Sequence, residues 1–171
     1  LGDVYKRQAY GYKKELANVL PVDESGYVLV YSYPDRINDK REIYAIKKIA
    51  KEKGKRLISV MSRYDWCDRA IIPTPLELLS WVKNADYVIS ETFHGTIFAI
   101  IAHRQFVTIS RKSSLPKLTS MLMPYGLSDR LLLSADNMGH ILDTKIDYSV
   151  VESKLEELRQ ESISFLKQMF S

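Results

Sequence analysis

Cysteine is almost absent from this sequence. Cys67 is the single one among 171 residues, so neither an internal disulfide framework nor a cysteine-cluster metal site can be built. That suits a reducing compartment. A cytoplasmic location is expected, with a peripheral place at the inner face of a membrane as the alternative. Glycine and proline are also scarce, at 7 and 6 residues, which excludes collagen-like and low-complexity architectures. Long apolar runs are missing: Ile97 to Ala102 is bounded by His94 and His103, far short of the roughly 18 residues a membrane-spanning helix needs. No transmembrane segment is expected. The chain lacks the P-loop, dinucleotide-binding and nucleophile-elbow patterns, which argues against those chemistries. His103 and His140 have no carboxylate or histidine at ligand spacing, so neither a metal nor another cofactor is expected.

An excess of one charge is slight as well. Twenty-five Lys and Arg face 21 Asp and Glu, a net charge of +4, too little to argue for nucleic acid. Arg36 to Arg56 holds nine basic and three acidic residues. Without a nucleic-acid motif or interleaved aromatics, it reads as a solvated helix face. What the chain does have is 46% apolar residues, enough to bury a core.

Four segments divide the chain. Residues 1–8 begin with Leu1 and read as translated adapter sequence, a non-native leader. Residues 9–26 are polar and turn-rich, a linker or the end of an N-terminal domain. Residues 27–148 alternate strands and helices, and residues 149–171 form a final amphipathic helix capped by Ser149-x-x-Glu152. Tyr27 to Tyr33 is a continuous β-branched and aromatic run ended by Pro34, as in a strand buried on both faces. Asp39 to Glu42 starts a helix that Gly54 follows. Lys55 to Val60 is a second strand and Ser62 to Ile72 a loop. Thr74-Pro75-Leu76-Glu77 combines a capping hydroxyl, a proline at the first helical position and a capping-box acid. Asp86 to Ser90 is a strand, Phe93 to Ala102 a buried helix and Gln105 to Ile109 another strand. A short helix near Leu115 to Tyr125, a turn at Gly126 and a weak strand at Arg130 to Leu133 follow. This alternation predicts an α/β fold, a Rossmann-like doubly wound parallel sheet.

Ligands of such sheets bind outside the carboxyl ends of the strands. That rule selects Ser32 to Arg36, Met61 to Arg63, Ser90 to Thr96 and Ser110 to Ser114. The third segment is the richest, because Glu91, Thr92 and His94 sit on a tight strand-to-helix turn ahead of Gly95 and Thr96. Helix N-terminal amides there could cradle an anion, with Gly95 letting it approach and His94 donating or accepting a proton near neutrality. Equally, His94 could pack on the sheet and Gly95 could serve only close helix–strand contact. Arg111 and Lys112 would lie beside this turn if their strand neighbours it, as half of an anion clamp or as an ordinary solvated loop. Arg63 and Arg69 rank below them, each able to pair with Asp65 or Asp68 instead.

The stretch from Thr74-Pro75-Leu76-Glu77 through Asp86-Tyr87-Val88-Ile89-Ser90 to Glu91-Thr92-Phe93-His94-Gly95-Thr96 resembles the polysaccharide pyruvyl transferase family. Further similarity runs through Phe106 to Ile109 and Gly126 to Leu131, so the resemblance covers about Tyr27 to Leu133. It implies the C-terminal half of a two-domain, GT-B-like arrangement, with the N-terminal domain as a partner contributing to the acceptor cleft. It implies transfer of pyruvyl from phosphoenolpyruvate to hydroxyls of a glycan or lipid-linked sugar of an exopolysaccharide or the cell envelope. On that reading His94 is the acid/base or phosphate-contacting residue, while Glu91, Thr92, Gly95, Thr96, Arg111 and Lys112 bind substrate. One position departs. Some family members carry Arg two residues before the histidine, where this chain has Thr92, and a hydroxyl cannot replace a bidentate cation. Arg111, Lys112, Arg63 or the absent half must then supply that charge, or the donor differs. The alternatives are a GT-B glycosyltransferase half-domain binding a nucleotide-sugar, with Glu91 on the ribose hydroxyls, and a non-catalytic phosphate- or carbohydrate-binding module.

Overall fold

A computed structural model of the chain describes residues 22–169. The leader expected at residues 1–8, and most of the linker expected at 9–26, lie outside the described residues. Strand β1, Tyr27–Tyr31, is buried at every position and pairs in parallel with β2, Arg56–Val60, on one side and β4, Tyr87–Ser90, on the other. Beyond them lie β3, Arg69–Ile71, and β5, Gln105–Ile109, with β6, Leu131–Leu132, last. All five pairings are parallel, in the order β3-β2-β1-β4-β5-β6. This is the doubly wound order, which reverses between β1 and β4.

The helices cover both faces. On one side, α1, Lys40–Glu52, buries Ile46, Ile49 and Ala50, and α5, Met138–Asp143, buries Met138, Ile141 and Leu142. On the other lie α2, Pro75–Asn84, α3, Phe93–Ile101, α4, Leu115–Leu122, and the start of α6, Tyr148–Met169. Central strands covered on both faces must be apolar throughout, which explains the unbroken run of β1. The capping box of α2 forms as expected: Thr74 Oγ1 accepts from Glu77 N–H, and the Glu77 carboxylate accepts from Thr74 N–H at 2.7 Å. Gly54 and Gly126 adopt φ of 61° and 70°, the left-handed conformation that glycine takes at no steric cost.

Two expectations change, and one helix comes without an expectation of its own. The loop at Ser62 to Ile72 contains β3, an edge strand too short to show alternation, held in register by Ile58, Ser59 and Val60. Helix α5 has no strong sequence signal; buried Arg130 organises it, donating to the carbonyls of Ile141 at 2.7 Å and Thr144 at 2.9 Å. Finally, Asp147 rather than Ser149 caps α6, accepting from the Ser149 amide and hydroxyl. Among the described side chains, α6 reaches the core through Val151, Leu155 and Leu158 in its first turns, and Phe165 is 57% exposed.

Candidate functional site

The seam between β1 and β4 brings two loops together at the carboxyl edge of the sheet. One, after β1, carries Arg36; the other, after β4, carries the turn from Glu91 to Gly95. Arg36 reaches across the seam. Its guanidinium donates from Nε to Glu91 Oε1 at 2.9 Å and places a terminal nitrogen 2.8 Å from the same oxygen. The Glu91 side chain is only 2% exposed, that of Arg36 44%, so the pair has an inner acidic end and an outer cationic end. Glu91 Oε2 is buried without a hydrogen-bond partner, and an unmet carboxylate oxygen in a dry site is costly unless a donor reaches it.

The turn itself is over-determined. Thr92 caps α3 by accepting from Gly95 N–H at 2.9 Å. Ser90 Oγ accepts from Thr92 N–H and donates to the Thr92 carbonyl. Thr96 Oγ1 lies 2.9 Å from that carbonyl and 3.0 Å from Thr108 Oγ1 on the neighbouring strand. The amides of Gly95 and Thr96 are therefore spent inside the turn, and Thr96 is fully buried. A Cβ on Gly95 would fall within 3.0 Å of Ser90 Oγ, the Tyr31 ring and Thr92 Oγ1. Of the two roles open to this glycine, the structure shows close helix–strand packing. Gly95, Thr96 and Thr92 shape the turn; none presents a side chain or a vacant amide to solvent.

His94 is the exposed member of the turn. Its ring stands edge-on to Phe93, with centroids 5.8 Å apart, and tilted 6.5 Å from Phe98. Among the described residues no carboxylate or carbonyl is hydrogen-bonded to the imidazole. Lys117, from α4, lies 4.1 Å over the ring of Phe93, the residue before the histidine.

Strands β4 and β5 are neighbours, so the condition for Arg111 and Lys112 to flank the turn is met. Arg111 nevertheless turns toward α1. It forms a two-pronged pair with Glu42, at 2.6 and 2.8 Å, and donates to the Arg36 carbonyl at 2.6 Å. The hydrogen bond to Glu42 raises its pKa above the usual arginine value. Arg111 thus braces the loop that carries Arg36, and Lys112 remains exposed. Arg69 is removed from the site altogether, because it begins β3 at the opposite edge and pairs with Glu24 at 2.7 Å. His103 also sits at that edge, with a carboxylate neighbour the spacing did not reveal: Glu152 Oε1, 2.8 Å away. Burial pushes the Cys67 thiol up to about 12, which leaves it an unreactive thiol at neutral pH.

Two further features mark this edge. Asp35 and Met61, just beyond β1 and β2, hold φ of 59° and 65°, a region non-glycine residues occupy at a cost and that His103, away from the seam, also occupies at 53°. Tyr64 pins the β1 loop from the side: its hydroxyl accepts from Ile37 N–H at 3.1 Å and donates to the Tyr33 carbonyl at 3.2 Å. Sequence reasoning selected the segment ending in Arg36 but not Arg36 as a site residue, although the same strand-end rule that found Glu91 covers it. Lys117 had no comparable signal, since only the packing of α4 brings it to Phe93.

These observations define a Rossmann-ordered domain whose candidate site is the β1–β4 seam, with an exposed histidine, a buried carboxylate and several cations at its rim. The chain belongs to the polysaccharide pyruvyl transferase family: the sequence profile of that family matches residues 7–113, a stretch that includes β1 to β5 and the whole turn. No curated protein matches the chain. A solved structure described as a crystal structure analysis of the glycotransferase of kitacinnamycin is similar in fold, with a TM-score of 0.55 and 10% identity. That likeness covers 87% of this chain and 44% of the other, so the chain spans less than half the length of that structure.

Proposed function

We propose that this chain carries the donor-binding part of a pyruvyl transferase that moves pyruvyl from phosphoenolpyruvate onto hydroxyls of a sugar in an exopolysaccharide or cell-envelope glycan. The observation that carries the reading is the family match across the turn whose one exposed polar side chain is His94. Phosphoenolpyruvate brings a phosphate and a carboxylate, and its methylene carbon must gain a proton as a hydroxyl oxygen attacks the adjacent carbon. Loss of phosphate and attack by a second hydroxyl then close a ketal, with inorganic phosphate taking the surplus proton. His94 delivers or relays the first proton. Arg36, Lys112 and Lys117 receive the anion. Arg36 stands in for the arginine that Thr92 displaces, because its outer face is open while Glu91 holds its inner face. An N-terminal domain completes the acceptor cleft, and a cytoplasmic or inner-membrane-face location suits a lipid-linked acceptor.

The test joins turnover and binding. In a full-length protein, His94→Asn should lower turnover by roughly 10²–10⁴-fold, the usual worth of a positioned acid or base, while still binding phosphoenolpyruvate. Wild-type turnover in that variant would remove His94 from the chemistry. Thermal-shift titration separates the donors, since a ligand of the native state raises the midpoint by mass action. A shift with phosphoenolpyruvate beyond that with phosphate supports pyruvyl transfer; a shift with uridine diphosphate alone supports a nucleotide-sugar enzyme.

A further inference from the structure

Positive charge is dense along helix α1 and the turn that follows it. Residues 40–55 hold seven basic and two acidic side chains, a surplus of five against a surplus of four for the entire chain. Helix α1 turns Ile46, Ile49 and Ala50 into the core. Its opposite face is then Lys40, Tyr44, Lys47, Lys48 and Lys51, recurring at three- and four-residue intervals along one line. Of the two acids on this helix, one is turned away from the line and the other offsets only Lys48. Glu42 is held by Arg111, and Glu52 lies 3.9 Å from Lys48. Among the described residues Lys40, Lys47 and Lys51 have no acidic partner.

Aromatic rings accompany the charge. Tyr44 is 69% exposed at the middle of the line. With Lys47, Lys51 and Lys55 it lines a shallow groove of about 860 Å³ that Trp66, Glu52 and Asp68 also line. Trp66 is held by stacking on Tyr64 at 4.8 Å, and Asp68 accepts from the Leu57 amide, so the basic side chains outnumber the acids. Phenol and indole rings with a polar tip prefer a membrane interface, and lysines beside them add attraction to anionic headgroups.

We infer that the outer face of α1, with the Trp66 groove, is a docking surface for a bilayer containing anionic phospholipids. The charge pattern favours a bilayer over a nucleic acid. The cations of the line are point-like lysines on a convex helix, suited to a diffuse headgroup layer, and not the planar arginine forks that grip nucleic-acid phosphates and bases. The face is also well placed. Helix α1 follows β1, so Lys40 lies at the carboxyl edge of the sheet and the docked membrane would run beside the β1–β4 seam. The inference does not depend on the chemistry of that seam.

Co-sedimentation of the 171-residue chain with phosphatidylcholine vesicles, with and without phosphatidylglycerol, tests it. The chain should partition onto the anionic vesicles alone and be released by salt. The double variant Lys47→Gln/Lys51→Gln should partition roughly thirtyfold more weakly, with an unchanged urea midpoint showing that it is folded. Tryptophan emission should shift to the blue on binding, and Trp66→Phe should abolish the shift, because the second tryptophan, Trp81, packs against Tyr27 on the other face. Equal partition onto neutral vesicles, no partition, or partition indifferent to the double variant would overturn the inference. So would lysine-dependent retention on duplex DNA without vesicle binding.

Discussion

At the scale of single residues, the informative positions are those whose chemistry is already spent. Gly95, read from the sequence both as room for a ligand and as close packing, is a point where helix α3 sits directly on β1 and β4. Gly95→Ala should therefore act on stability. Forcing a methyl against Ser90, Tyr31 and Thr92 should cost on the order of 1–3 kcal/mol, read as a lower urea midpoint. An unchanged midpoint with weakened ligand binding would return the glycine to a binding role. Arg130 is the converse case, a cation whose side chain is 2% exposed that serves the fold. Its guanidinium meets two carbonyls at the end of α5 and the Asp129 carboxylate. Arg130→Met should lose about 1–3 kcal/mol, because the buried Ile141 carbonyl loses its guanidinium donor, and α5 should lose its amide-exchange protection first. The same logic separates Arg111 from Lys112: identical as sequence candidates, they differ because Glu42 is close enough to capture only the former.

At the scale of elements, the starts of α1 and α2 lie where the sequence puts them, because a cap is a local device, while the cap of α6 falls on Asp147 instead of Ser149. Asp39, Glu77 and Asp147 each accept backbone or side-chain hydrogen bonds at a helix N-terminus, and those bonds lower their pKa values below the usual carboxylate range. The backbone bond from Arg41 leads for Asp39, that from Thr74 for Glu77, and the Ser149 hydroxyl for Asp147. A carboxylate with a depressed folded-state pKa contributes stability above its unfolded value and loses it as pH falls through the folded one. Stability should accordingly decline on acidification below the ordinary carboxylate range, and Glu77→Gln should make that decline shallower in urea melts taken across pH. Thr74→Ala should cost about 1 kcal/mol at neutral pH by removing the capping hydroxyl of α2. Strand β3 and helix α5 escaped sequence reading for the opposite reason. Neither has a cap or a clear period of its own; the register with β2 makes one and the Arg130 guanidinium the other.

At the scale of the molecule, the strand order places the seam. The β1–β4 reversal gathers loops 55 residues apart in sequence, Arg36 and Glu91, and Arg111 then braces the Arg36 loop from β5. Turnover should depend on this assembly as a unit, with His94→Asn as the sharpest single measurement. The basic stripe of α1 belongs to this scale too, since its lysines are ordinary one by one and gain meaning from lying on one line beside the seam.

From the sequence alone came the alternating α/β plan, the buried central strands, the capped start of α2, and the Glu91 to Thr96 turn as the place to look. These follow from periodicity and short-range hydrogen bonding, which a dozen residues encode by themselves. Tertiary structure decided which members of that turn face outward, that Gly95 is filled from behind, that Arg36 reaches Glu91 across the seam while Lys117 covers Phe93, and that Arg111 is held by Glu42. Those outcomes depend on distances between residues remote in the chain, and only the packing of the sheet and its helices sets such distances.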